Sequence, residues 1–286
     1  MNKKKRVIAI SILFIFIVLL VAIITCFENN LVAEEEVIED RYTPFRNTSN
    51  FKNENKERYV AYYENNKKLD YEDVVTHVNI GLDREYYSYI SDSDISKGNL
   101  ILVNKYIKLD QEYIPSNLEE INSKYFINGN NSVRMLVKAA KEQFEKMSRD
   151  SIENNTPVYG QSAYRSYDQQ QSLYDYAVEN YGDSVADTDT ARPGHSEHQT
   201  GLAIDVSSTK SGNMLTFGNT LSYEWMINNA HKYGFILRYP KEKENIHGYI
   251  NEPWHYRYVG VEIATDMHDN YSDLTYDEYY YKFIDK

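Results

Sequence analysis

The sequence predicts an α+β fold in which helices pack on a small antiparallel sheet, preceded by one N-terminal transmembrane helix. Three observations support this prediction. An uncharged apolar run lies near the N-terminus. Helical and strand-like segments follow it without strict alternation of strand and helix, which favours an antiparallel sheet over a parallel one. Capping patterns also mark several of the predicted helix starts.

The N-terminal segment predicts a membrane anchor. Residues 1–6 form a basic tail, and the 21 residues 7–27 carry no charge. At about 1.5 Å per residue, a helix of this length spans the roughly 30 Å hydrocarbon core of a bilayer. The basic tail indicates that the N-terminus stays in the cytoplasm. A cleaved signal peptide and a lipoprotein attached at Cys26 stay open as alternatives, and all three place residues 28–286 outside the cytoplasm.

The rest of the chain is divided by composition. Residues 28–56 are rich in Glu, Asn and Lys, so they are predicted to form a flexible acidic linker. Residues 57–120 are predicted to form a small N-terminal lobe. Within it the β-branched run Val74–Ile80 is typical of a strand. Residues 121–286 form the main predicted domain.

The main domain contains four predicted helices and four predicted strands. The helices are recognised by apolar residues at helical spacing and by polar capping residues. They begin near Ser132, at Asp168 with Gln171 as its capping partner, at Ser222 in a helix that Gly234 ends, and at Thr275 with Glu278 as its partner. The strand-like segments are 157–160, 201–206, 235–239 and 254–259.

Charge and cysteine content exclude several classes of function. Residues 28–286 hold all 43 acidic residues and 27 of the 31 basic residues, which is a net charge of −16. Nucleic acid is therefore not expected as a partner, because phosphate binding needs a basic surface. The single cysteine excludes an intramolecular disulfide framework and a cysteine-rich zinc module.

Three residues can supply a catalytic zinc site. Such a site takes three protein ligands, usually His nitrogens and carboxylate oxygens, and keeps a fourth position for water. His198, Asp205 and His255 can provide this set, and Gly201 lets the chain turn between the first two. Asp205 lies in an otherwise apolar strand, where a carboxylate is costly unless it is paired or metal-bound. His195 is interpreted as a residue that shapes the loop.

Two further residues can support hydrolysis at such a site. Glu252 precedes His255 by three residues, a spacing that could bring its carboxylate beside a metal-bound water as a proton acceptor. Arg165 offers a fixed cation for the oxyanion on the attacked carbonyl or for a substrate carboxylate. A structural zinc site is disfavoured because it would use four protein ligands, usually with cysteine.

The combination of these residues resembles a known family. Ser196-x-His198-x6-Asp205, followed 47 residues later by Glu252-x-Trp254-His255, resembles the VanY-type D-alanyl-D-alanine carboxypeptidases of zinc peptidase family M15. Residues 162–174 and 191–201 are similar to the arginine loop and the zinc loop of that family. With a weaker similarity at 75–83, the resemblance covers about residues 58–270.

The resemblance implies a LAS- or Hedgehog-like fold and a zinc D,D-carboxypeptidase that removes the terminal D-alanine from peptidoglycan stem peptides. It also implies a role for each matching residue. His198, Asp205 and His255 would bind Zn²⁺, Glu252 would be the general base and then acid, Arg165 would stabilise the transition state, and Ser196 and Gln170 would help to hold the substrate.

Related functions stay open at the level of sequence. The same zinc site serves L,D-carboxypeptidases, D-Ala-D-Ala dipeptidases and peptidoglycan endopeptidases. A non-catalytic wall-binding or signalling ectodomain is a further alternative, although it predicts the loss of a ligand or of the base, and neither is missing. We expect a single-pass protein of the cell membrane with its catalytic domain on the outer, cell-wall side. The sequence does not indicate protein partners.

Overall fold

A computed structural model of the chain describes residues 16–28, 41–127 and 134–285. These residues form two compact units, one ending at Val75 and the other beginning at Thr76. The predicted divisions at residues 57 and 121 are finer than this boundary, and they stay predictions.

The first unit is helical in its described part. It contains α1 (16–28), α2 (Thr43–Arg46), α3 (Lys56–Asn65) and the first turn of α4 (Tyr71–Ile80). Tyr42 and Phe45 are buried, and the ring of Phe45 stacks on that of Tyr59 with 5.9 Å between centroids. Part of the segment predicted as a flexible linker is therefore packed. Its aromatic side chains supply the apolar surface that the average composition conceals.

The predicted membrane anchor is not seen as a spanning helix. Across the described ranges, no helix combines the length and apolar character needed to cross a bilayer. Residues 16–27 of the predicted anchor belong to α1, whereas residues 7–15 lie outside the described residues. The anchor stays a prediction.

A four-stranded antiparallel sheet forms the centre of the second unit, which confirms the predicted sheet type. Its order is β5 (Tyr159–Ser162), β6 (Ala203–Ser207), β8 (His255–Tyr258) and β7 (Phe235–Leu237). All five residues of β6 are buried, because it is a central strand covered on both faces. Two small two-stranded sheets accompany it, namely β1 (Ser91–Asp92) with β2 (Ile107–Lys108), and β3 (Leu118–Glu120) with β4 (Met135–Val137).

Helices pack around this sheet. They are α5 (Lys138–Glu153), α6 (Tyr167–Tyr181), α7 (Asp183–Asp189), α8 (Leu221–Asn229), α9 (Glu244–His247), α10 (Val261–Asn270) and α11 (Tyr276–Tyr279). The predicted apolar face of α5 is buried at Ala140, Phe144 and Met147. Phe144 meets the ring of Phe235 on β7 edge-on, with 6.4 Å between centroids. Full burial of a large apolar side chain contributes about 1.5–3 kcal/mol, so this face holds α5 on the sheet.

The prediction of a strand at residues 74–80 is wrong, because this segment belongs to helix α4. The Asp70 carboxylate accepts a hydrogen bond from the backbone N–H of Asp73, which caps the helix start. Val74 and Val78 are four residues apart and both are buried, as on one face of a helix. The β-branched composition suggested a strand, but the capping and the spacing of buried residues favour the helix.

Several predicted helix starts shift. Residues 135–137 pair with β3, so α5 begins at Lys138, and the predicted start at Ser132 lies outside the described residues. Helix α6 is capped by Ser166 with Gln169 rather than by Asp168, and α8 by Thr220 rather than by Ser222. The capping box of Thr275 with Glu278 is confirmed.

Candidate metal centre

The register of the central sheet brings Asp205 and His255 together. Asp205 of β6 lies directly opposite His255 of β8, so their side chains project from the same face of the sheet. Asp205 Oδ1 is 3.1 Å from His255 Nδ1. Two residues that are 50 positions apart in the chain thus become neighbours through strand pairing.

His198 reaches the same point from a short 3₁₀ turn, Glu197–Thr200. Its Nε2 lies 3.3 Å from Asp205 Oδ2, and its Nδ1 donates to the carbonyl of Ala163 at 2.7 Å. Because Nδ1 carries the proton, Nε2 presents a lone pair toward Asp205. Gly201 ends the turn in the left-handed region at φ 67°, and a Cβ there would lie 2.8 Å from Leu118 Cδ2, so the turn requires glycine.

These three side chains fit a zinc ion. Their ligand atoms lie within 4.8 Å of one another, and all three residues are buried. Two imidazoles and one carboxylate form a ligand set that catalytic zinc uses. The local potential also favours a cation. Although burial opposes its protonation, hydrogen bonds to Asp205 and Glu197 raise the pKa of His255 to about 9.

Glu252 lies beside these residues and is mostly buried, with 13% of its side chain exposed. Its Oε2 is 3.6 Å from His255 Nδ1, and its backbone N–H donates to the carbonyl of Tyr239. Burial is the main cause that raises the pKa of Glu252 to about 7, and the negative charge of Asp205 adds to it. A carboxyl group with a pKa near 7 can accept and return a proton at neutral pH.

Arg165 is held in a fixed position. Its guanidinium donates to Gln170 Oε1 at 2.8 Å and to Ser162 Oγ at 2.9 Å, and Nη2 lies 4.0 Å from Asp205 Oδ2. Gln170 also donates to the carbonyl of Ala191, so both ends of its amide are engaged. The predicted substrate-binding residue Gln170 therefore orients Arg165. The backbone N–H of Arg165 donates to the carbonyl of His198, which ties the two loops together.

All seven predicted site residues line one cavity of about 230 Å³: Arg165, Gln170, Ser196, His198, Asp205, Glu252 and His255. Sites for drug-sized ligands usually measure about 300–1,000 Å³. This cavity suits the end of a peptide rather than a whole stem. Tyr239, Tyr249 and Trp254 add aromatic walls.

Sequence reasoning assigned no role to Glu197, which is buried against the metal centre. Its Oε2 is 3.3 Å from His255 Nε2, and its Oε1 accepts from Arg238 and Arg257. Despite burial, the two guanidinium groups lower the pKa of this carboxyl group. A usable signal existed, since Arg257 is a charged residue within the strand predicted at 254–259, where it needs a partner if the strand is buried.

The remaining histidines do not join this site. His195 donates to the carbonyl of Asn104 and packs edge-on against Tyr87, as expected for a residue that shapes the loop. His231 and His268 form a second possible metal group with Asp269. Their rings are stacked 3.6 Å apart at 18°, so their lone pairs run side by side rather than toward one ion. We therefore do not assign a metal there.

Comparison with known proteins places this site in a family. The sequence model of the family described as VanY, D-alanyl-D-alanine carboxypeptidase, matches residues 133–261. YodJ of Bacillus subtilis (strain 168), a protein named as a carboxypeptidase, is 42% identical over 185 residues, which are 64% of this chain and 67% of the relative.

Two solved structures extend the comparison. The LdcB LD-carboxypeptidase is 38% identical with a TM-score of 0.62, over 68% of this chain and 91% of that chain. The VanY D,D-pentapeptidase from a VanB-type resistance cassette, in complex with Zn(II), is 32% identical with a TM-score of 0.53, over 63% of this chain and 98% of that one. The chain therefore belongs to the VanY family of D-alanyl-D-alanine carboxypeptidases, which are zinc-dependent peptidases.

Proposed function

We propose that this protein removes the terminal D-alanine from peptidoglycan stem peptides. The observation that carries the proposal is the meeting of His198, Asp205 and His255 with the Glu252 carboxylate in one cavity. The family supports the reaction, and a structure of a related VanY with D-alanine-D-alanine supports the substrate class.

The metal-binding part of the site consists of His198 Nε2, His255 Nδ1 and the Asp205 carboxylate. They would hold Zn²⁺, which when bound would act as a Lewis acid and lower the pKa of a water molecule bound to it to about 7. The Nδ1 of His198 donates to the carbonyl of Ala163, which leaves its Nε2 as the nitrogen that can bind a metal.

Glu252 is the proton carrier. Its carboxylate accepts a proton from the attacking water and then donates it to the amine of the departing D-alanine. Burial raises the pKa of Glu252 above its ordinary value, which makes its carboxylate a better proton acceptor than an exposed glutamate.

Arg165 supplies a fixed positive charge on the same cavity. It stabilises the oxyanion that develops on the attacked carbonyl, or it pairs with the terminal carboxylate of the peptide. Gln170 and Ser162 hold the guanidinium in place, so little rotamer freedom is lost when the peptide binds. Ser196 lines the cavity beside it.

The D,D and L,D activities differ in the stem that loses its D-alanine. D,D-carboxypeptidase activity on pentapeptide is the first candidate, supported by the enterococcal relatives named D-alanyl-D-alanine carboxypeptidase. L,D-carboxypeptidase activity on tetrapeptide is the second. It is favoured by the greater similarity to LdcB, at 38% identity against 32% for the zinc-bound VanY.

A product assay tests the proposal. Full-length protein in detergent is incubated with pentapeptide and tetrapeptide stems, with and without chelator, and the products are identified by mass. Release of single D-alanine from pentapeptide supports D,D activity, and release from tetrapeptide alone supports L,D activity. In each case the release must be lost when chelator is added. Release of a dipeptide indicates a dipeptidase, and no cleavage by zinc-loaded protein refutes the proposal.

We also propose that residues 7–27 anchor the protein in the cell membrane with the enzyme on the cell-wall side. The uncharged run and the basic tail before it support this proposal. Its test is protease treatment of intact cells followed by membrane fractionation. A domain that is protected from protease, or a chain found only in the cytosol, would contradict it.

A further inference from the structure

Glu197 connects His255 to two buried arginines. One carboxylate oxygen, Oε2, accepts from His255 Nε2 at 3.3 Å. The other, Oε1, accepts from Arg238 Nε and from Arg257 Nη1, both at 2.8 Å. The side chains of Glu197, Arg238 and Arg257 are 0% exposed. The carboxylate therefore lies in a dry environment, in which its two short contacts to the arginines are strong and its longer contact to His255 is little weakened by water.

The same network reaches the C-terminal helix α11. Arg238 Nη1 donates to Asp277 Oδ2 at 2.7 Å, and Asn104 donates to the other oxygen of Asp277 at 2.8 Å. Two carboxylates and two guanidinium groups balance the charge. Asp277 lies beyond residues 133–261, the segment that defines the family match, so a residue outside that segment supports the metal centre.

The orientation of Glu197 Oε2 indicates that this carboxylate does more than neutralise the two arginines. Among the described residues, Arg238 Nη2 is buried and has no hydrogen-bond partner. A carboxylate that served only the arginines could bind Arg238 through both oxygens, in the two-pronged geometry that this pair prefers. Glu197 instead directs Oε2 at His255 and leaves that donor unsatisfied.

We propose that Glu197 is a positioning residue that keeps the proton of His255 on Nε2, and that Asp277 fixes Glu197 through Arg238. A ring that binds a metal is neutral, so a proton held on Nε2 leaves the lone pair of Nδ1 available to an ion shared with Asp205, whose Oδ1 is 3.1 Å from Nδ1. Carboxylates that accept from a metal-binding histidine set its tautomer and orientation in this way. This inference rests on the proposed ligand set.

The variant Glu197→Gln tests the tautomer directly. Arg238 and Arg257 have only donors to offer, so the amide oxygen must take the place of Oε1. The amide NH₂ then faces His255 Nε2 and donates to it. This favours the ring with its proton on Nδ1, which cannot bind a metal through that nitrogen. The change keeps the shape of the side chain and reverses one hydrogen bond.

The measurement is zinc affinity, by competition with a chromophoric chelator, together with the visible spectrum of the Co²⁺-substituted protein. Glu197→Gln is expected to bind zinc about 10–100-fold more weakly and to change the Co²⁺ spectrum. Asp277→Asn should weaken zinc binding in the same direction by a smaller factor. The matched control is Glu278→Gln, on the same helix and also buried, whose carboxylate binds Thr275 and Lys243. It should leave zinc affinity unchanged even where it lowers the unfolding temperature.

Wild-type zinc affinity and Co²⁺ spectrum in folded Glu197→Gln would overturn the inference. If that variant does not fold, Asp277→Asn decides the matter, and wild-type affinity there overturns it. His255→Ala separates the two proposals. Loss of zinc in His255→Ala but not in Glu197→Gln refutes only the positioning role, whereas retention of zinc in His255→Ala refutes the ligand set.

Discussion

Replacing Glu252 by Gln tests the proton carrier with the smallest change in shape. The amide keeps the volume of the side chain, and the backbone hydrogen bond to Tyr239 does not depend on the carboxylate. The variant loses the ability to accept a proton. General acid–base catalysis contributes about 10²–10⁴-fold, so kcat should fall by that factor, which is roughly 3–5 kcal/mol in the barrier. Zinc content should remain at the wild-type level.

The same substitution has a predicted effect on stability in the metal-free protein. The pKa of about 7 in the folded state lies above the ordinary value of 4.5, so the folded protein retains a proton that the unfolded chain has released. The free energy of unfolding therefore falls as the pH rises from 4.5 to 7, by up to about 3 kcal/mol. Glu252→Gln removes this loss, so the metal-free variant should exceed the wild type in stability above pH 7.

Two assays check these expectations. The first measures D-alanine release and zinc content of the loaded enzymes. The second measures urea unfolding of chelator-treated proteins at pH 5 and pH 8. Bound zinc stabilises the Glu252 carboxylate, so the acidic limb of the rate profile should lie between pH 4.5 and about 7 and disappear in the variant. Activity of zinc-loaded Glu252→Gln within tenfold of wild type would refute the assignment.

Three other predictions follow from the same structure. Arg165→Met should lower kcat by about 10²–10³-fold with zinc still bound, and steady-state kinetics with unchanged kcat would argue against a role in the transition state. Gly201→Ala should cost about 1–3 kcal/mol in unfolding free energy, because φ is 67° and the new Cβ meets Leu118. An unchanged denaturation midpoint would contradict that. Thr275→Ala should cost about 1 kcal/mol through loss of the α11 cap, as measured by thermal unfolding.

Local chemistry accounts for the predictions that the structure confirmed. The apolar face of α5 and the capping box at Thr275 depend on contacts within a few residues or on the period of burial. The antiparallel sheet was predicted from the order of helices and strands along the chain. Where two local patterns overlapped, the sequence could not choose between them. Ser166 with Gln169 and Asp168 with Gln171 are both capping boxes by composition, and the structure uses the first, with α6 beginning at Tyr167. For residues 74–80, the sequence prediction followed the β-branched composition, although the spacing of the apolar residues was that of the helix α4.

The sequence by itself determined the chemistry of the candidate centre, since His198, Asp205, His255 and Glu252 are identified by residue type and spacing. Only the tertiary structure decided how they meet, because strand pairing sets Asp205 opposite His255. Glu197 shows the same limit, since it lies next to His198 but its partners Arg238 and Arg257 are 41 and 60 positions away. Spacing along the chain carries no information about such contacts, which depend on the register of paired strands and on burial.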